Sequence, residues 1–92
     1  MKKQKNYQIL IHAIIEEMQF FIGDVAIVQA NLVPGLTVNG KITIAIDPLI
    51  VTEKLIERYQ YLMGPVALTL SKKAAKKAIK RRKRLIIPEV LK

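Results

Sequence analysis

The chain has no cysteine and no tryptophan, and only one histidine (His12) and one serine (Ser71) among its 92 residues. The lack of cysteine excludes disulfides and thiolate metal sites, and it removes redox usage as a guide to compartment. A single histidine with a few scattered acids does not furnish a typical zinc or two-metal site within one chain. Aromatic residues are limited to Tyr7, Phe20, Phe21, Tyr59 and Tyr61. Long apolar runs are missing too: residues 9–15 are interrupted by His12 and residues 20–28 by Asp24. A spanning helix needs about 20 predominantly apolar residues, so no transmembrane segment is expected. Residues 1–8 carry the charges of a leader peptide. Glu16 and Glu17 interrupt the apolar segment after them, however, and no small-residue cleavage site is present, so a cytoplasmic protein is expected.

Ile, Leu and Val make up about a third of the chain, enough to build a core and to exclude disorder over most of its length. A chain this short forms one domain. Charge is distributed unevenly. There are 16 basic and 7 acidic residues, and nine of the basic ones fall in residues 71–84, SKKAAKKAIKRRKR, which hold no acid. The rest of the chain keeps seven basic against seven acidic residues, so the net charge of +9 belongs to this one segment. A neutral, oily body carries a polycationic helix.

Near the N-terminus the apolar positions Tyr7, Ile11, Ile14, Met18, Phe21, Val25, Val28 and Leu32 alternate spacings of four and three. That is the stripe of a helix packed on a partner, widened by Leu10, Ile15 and Ile22. Gly23-Asp24 offers a break at which Asp24 would cap a new helix. The unbroken phase predicts instead one helix from about Asn6 to Val33, stopped by Pro34-Gly35. Ile9, Phe20 and Ile27 fall together on the opposite side of that helix. As candidate self-association residues they suggest a helix sandwiched between other helices or covered on its back face by a second copy, although isolated surface apolar residues are also common.

Residues 36–47, LTVNGKITIAID, read as a β-hairpin around Asn39-Gly40. A three-residue loop with Gly40 in the left-handed conformation is expected to set Leu36 opposite Ile42 and Thr37 opposite Lys41. A lone hairpin is marginal in water, so it must lie on the helices or pair with another chain. Asp47-Pro48 then starts a helix, with Asp as cap and Pro in the first turn. Its predicted inner face is Val51, Leu55, Tyr59 and Leu62, edged by Ile56 and Met63. Glu53, Lys54, Glu57 and Arg58 cover the outside. Gly64-Pro65 ends this helix and begins the last one, which is expected to run to about Arg84. The sequence thus predicts a mostly α-helical α+β domain over residues 1–84 with an apolar tail at 85–92. A homodimer is expected.

Residues 58–75, RYQYLMGPVALTLSKKAA, resemble a short helix–Gly-Pro–helix module near the C-termini of some bacterial signalling proteins. The likeness rests on Leu62, Gly64, Pro65 and Ala67 and covers under a quarter of the chain. Those modules have no assigned chemistry, so no functional residue carries over. What the resemblance implies is a bacterial interaction module.

In the basic helix Ala67, Leu70, Ala74, Ala78 and Leu85 share a narrow face suited to close packing on the body. Lys72, Lys73, Lys76, Lys77, Lys80, Lys83 and Arg84 occupy the opposite arc. Arg81 and Arg82 land on or beside the alanine face, so the last turns are expected to project. No acid at i−4 or i+4 relieves repulsion among these cations, at a cost of about 0.2–0.5 kcal/mol per like-charge pair. All nine are candidate anion-binding residues. The leading partner is nucleic acid held through its backbone rather than its sequence, since the segment has no aromatic for stacking and no Asn or Gln. An acidic protein is a further partner. An anionic membrane surface is less favoured, because interfacial helices usually present Trp, Phe or Leu where this one presents Ala. The plain alternative is a solvated face that keeps an apolar body soluble.

Nothing in the sequence marks an enzyme. His12 lies off the main apolar stripe with Glu16 one turn on, and no nucleophile is near it in sequence. Glu16 and Glu17 point to different helix faces, and Gly35 and Gly40 flank a hairpin rather than a phosphate-binding loop. No cofactor, metal or catalytic residue is expected. The function read from the sequence is that of a non-enzymatic module that self-associates and presents a polycationic helix to an anionic partner. The alternative is a protein–protein adaptor of a bacterial regulatory system.

Overall fold

Gly23 divides the N-terminal helix in two. In the computed structural model, which describes residues 2–81 and residue 91 (side chains 6–80 and 91), α1 spans Lys2–Ile22 and α2 spans Val25–Asn31. Gly23 adopts φ +65°, the left-handed region, and its N–H donates to the Gln19 carbonyl at 2.8 Å, closing α1. Asp24 stands at the cap of α2 in helical conformation and makes no side-chain cap bond. The single helix expected over residues 6–33 is therefore corrected to two. The reason is local: one left-handed residue redirects the chain, so the apolar phase of α1 is not carried into α2. Ile11, Ile14 and Met18 are buried, whereas Phe21, Val25, Val28 and Leu32 are 45–57% exposed. Ala26, Ala30 and, in part, Ile27 take the inward positions of α2.

Strands β1 (Leu36–Val38) and β2 (Ile42–Ile44) form an antiparallel hairpin that pairs Leu36 with Ile44, Thr37 with Thr43 and Val38 with Ile42. The three-residue loop is as expected, but the pairing of Leu36 with Ile42 and Thr37 with Lys41 is corrected by two positions. A shift of two preserves which face each residue occupies, so the apolar alternation cannot detect it. Leu36 and Ile44 are buried and the threonines face out. The hairpin lies on the helices of its own chain. The Asn31 side chain clamps Val38, accepting its N–H at 2.7 Å and donating to its carbonyl at 3.0 Å. Gln8 Nε2 donates to the Ile42 carbonyl at 3.0 Å.

Helix α3 (Pro48–Met63) starts as expected, with Asp47 Oδ1 accepting the Leu49 N–H at 2.9 Å and Pro48 in the first turn. Its buried residues are Val51, Thr52, Leu55, Ile56 and Tyr59. Leu62, expected on the inner face, is 46% exposed. The buried arc is widened towards Thr52 and Ile56, and in the last turn Met63 takes the inward place. Helix α4 (Val66–Arg81) follows the turn at Gly64-Pro65 and packs most extensively against α1.

The core joins Leu10, Ile14 and Met18 of α1 to Leu55, Ile56 and Tyr59 of α3 and to the alanines of α4. Its buried hydroxyls have partners: Tyr59 Oη donates to the Ala26 carbonyl at 2.7 Å, and Thr52 and Ser71 donate at 2.8 Å to the carbonyls four residues back. The fold is α+β and mostly helical. No helix among the described residues is long and apolar enough to cross a membrane. Of the tail expected at 85–92 only Leu91 is described, and it is buried in the core.

Candidate polyanion-binding surface

Helix α4 is two-faced because its small residues recur at helical spacing. Ala67, Leu70, Ala74 and Ala78 are buried as expected, joined by Ser71 and Ala75. An alanine seam lets helix axes approach closely, and α1 occupies that seam. The opposite side carries Lys72, half-buried, and Lys73, Lys76, Lys77 and Lys80, all exposed. Arg81 closes the helix, and Arg82, Lys83 and Arg84 lie outside the described residues, as does the expected projection of the last turns.

The structure separates the described cations into two groups. Lys73 and Lys77, one turn apart, both face Glu17 of α1: Lys77 Nζ is 3.3 Å from Glu17 Oε1 and Lys73 Nζ is 3.8 Å from Oε2. The Glu17 side chain is only 10% exposed. No acid within α4 relieves its repulsion, yet one on the neighbouring helix does. Lys72, Lys76 and Lys80 form an outer row, and among the described residues none has an acidic partner within 4 Å. Spaced by four, these positions advance about 6 Å each along the axis, a row in which Lys76 and Lys80 are exposed and Lys72 half-buried.

Between α1, α4 and the hairpin runs an open groove of about 1040 Å³. Gln8, Ile9, His12 and Phe20 line it from α1, Lys41 and Ile42 from the hairpin, and Lys73 and Lys77 from α4. His12 Nδ1 lies 3.2 Å from Oε2 of Glu16, one turn on. Phe20 and Phe21 meet edge to face with centroids 5.4 Å apart. Two of the three candidate self-association residues, Ile9 and Phe20, thus share one groove. Ile27 does not line it and packs against the core from α2. The sequence gives no sign that Glu17, Lys41 and the Phe20–Phe21 pair belong to the charged site, because residues so far apart along the chain are brought together only by the packing of α4 and of the hairpin on α1. Among the described residues no three of His, Cys, Asp and Glu gather in a way that could hold a metal ion.

Compared with family models, with curated proteins and with solved structures, the chain matches none.

Proposed function

We propose that this chain is a non-enzymatic interaction module that grips the phosphate backbone of nucleic acid along the outer row of α4. The observation that carries this reading is the division of α4. Its apolar side is committed to the body, while half-buried Lys72 and exposed Lys76 and Lys80 have no acidic partner among the described residues and lead into the basic run at residues 80–84. Point-like ammonium groups suit phosphate, and their row carries no base-reading side chain, so binding is independent of sequence. Releasing condensed counterions makes such binding strongly salt-dependent.

The test is a salt titration with random-sequence duplex DNA, followed by fluorescence anisotropy. The expected result is binding at about 50 mM salt, with a log–log slope of about −0.9 for each phosphate neutralised. Replacing Lys72, Lys76 and Lys80 by Gln should therefore flatten the slope by up to about 2.7 units without loss of helix. Absence of binding at about 50 mM salt would end this reading.

A second reading is favoured by the outward stripe Phe21, Val25, Val28 and Leu32. In it the chain is an adaptor that self-associates through α2, with α4 solubilising the assembly or holding an acidic protein. The resemblance at residues 58–75 to a bacterial interaction module is compatible with both readings.

A further inference from the structure

Deepening the nucleic-acid reading, on which it rests, we infer that the groove between α1 and α4 takes a single strand, with an unpaired base stacked on Phe20 and its phosphate held by Lys73 and Lys77. Phe20 is 84% exposed, and its edge contact with Phe21 leaves most of the ring open to solvent. Apolar groups so exposed gain from any flat, apolar cover, and a nucleobase has such a face. The same groove carries Lys73 and Lys77, and Lys41 enters it from the hairpin loop. A stacking ring beside cations is the pairing that single-strand binders use.

Glu17 holds both α4 ammonium groups, and Phe20 comes three positions after it on α1. Residues three apart on a helix are surface neighbours, about 5–6 Å between Cβ atoms. The ring and the carboxylate that holds the two cations therefore rise from positions one helical turn apart and face the same groove. A duplex keeps its base faces stacked on one another and cannot offer one to Phe20, so this groove discriminates in favour of the unpaired strand. Glu17 sets the resting state. Its carboxylate occupies the ammonium pair in the free protein, and an incoming phosphate replaces it there. Among groove residues three lysines stand against Glu16 and Glu17, so the site is cationic already, and displacing Glu17 frees the Lys73–Lys77 pair for phosphate.

The test compares a labelled oligothymidylate about 16 nucleotides long with a duplex of the same length, using the full chain. Phe20→Ala should weaken single-strand binding about tenfold or more while leaving duplex binding and helix content unchanged. Phe20→Tyr, which keeps the ring, should bind like the original. Glu17→Gln should strengthen single-strand binding severalfold. If Phe20→Ala leaves single-strand affinity unchanged, or lowers duplex affinity by the same factor, the groove assignment is overturned while the outer-row reading stands. If instead Phe20→Ala converts a dimer to a monomer, the ring is covered by a second copy and the assignment also falls. Failure of the original chain to bind either oligonucleotide removes both readings together.

Discussion

Tyr59 shows how much can rest on one buried hydroxyl. Its side chain is fully buried in the core, and its Oη reaches the Ala26 carbonyl at 2.7 Å, tying α3 to α2. Burial disfavours the phenolate and pushes the Tyr59 pKa well above the ordinary tyrosine value. Tyr7 is raised in the same direction, first by burial and then by the carboxylates of Asp47 and Glu53. Above pH 10 the unfolded chain releases these protons while the folded chain keeps them, so stability present below pH 10 is lost as the pH rises. Urea denaturation at pH 9, 10 and 11 should show stability falling by up to about 1.4 kcal/mol per pH unit for one such group. Tyr59→Phe should cost about 1 kcal/mol at neutral pH and fall less steeply above pH 10. Equal slopes for the two proteins would show that Tyr59 does not carry the alkaline loss. The inward position of Tyr59 is legible from its place on the α3 stripe. Its partner is not, because Ala26 lies 33 residues away on a helix whose phase the stripe misjudges.

Elements end where single residues take special backbone values, and two glycines show different reasons. At Gly23 a side chain would meet nothing within 4 Å, so Gly23→Ala should cost only the left-handed backbone penalty, about 1–2 kcal/mol. At Gly35 (φ +83°) a Cβ would collide with Cγ1 of Ile46 and lie 2.9 Å from its Cδ1. Gly35→Ala should therefore lower the thermal midpoint more than Gly23→Ala, and Ile46→Ala in the same chain should recover part of the difference. Equal midpoints for the two glycine variants would show that Ile46 yields without cost. The helix cap at Asp47 and the turn at Gly64-Pro65 are readable because they are decided by adjacent residues. The Gly23 break is visible in the sequence as an option, but the regular apolar spacing argues against it. The outward residues Phe21, Val25, Val28 and Leu32 continue the α1 rhythm without sharing its face, so spacing alone misleads there.

At the scale of the whole molecule, the positive excess and the exposed stripe Val25, Val28 and Leu32 lie on different elements. The positive excess is confined to residues 71–84, whereas the stripe on α2 belongs to the neutral body. Two copies could thus meet through α2 without opposing their basic helices, which is how the second reading would work. Light scattering at high concentration should then report a dimer, and Val28→Asp should yield a folded monomer. Ile27→Asp should instead unfold the chain, because Ile27 packs against the core. A strict monomer for the original protein would remove self-association and leave the polyanion reading intact.

The sequence by itself determined the element types, the mostly helical α+β class, the alanine seam of α4 and the concentration of charge in residues 71–84. Each arises from neighbours a few positions apart: capping, turn chemistry, helical spacing or a local count of lysines. The tertiary structure alone decided which lysines are engaged and which are open. Glu17 and Lys77 are 60 residues apart, and only the packing of α1 along the alanine seam brings that carboxylate to Lys73 and Lys77. The same packing sets Phe20 beside those cations, so a helix with no aromatic of its own gains one from across the groove.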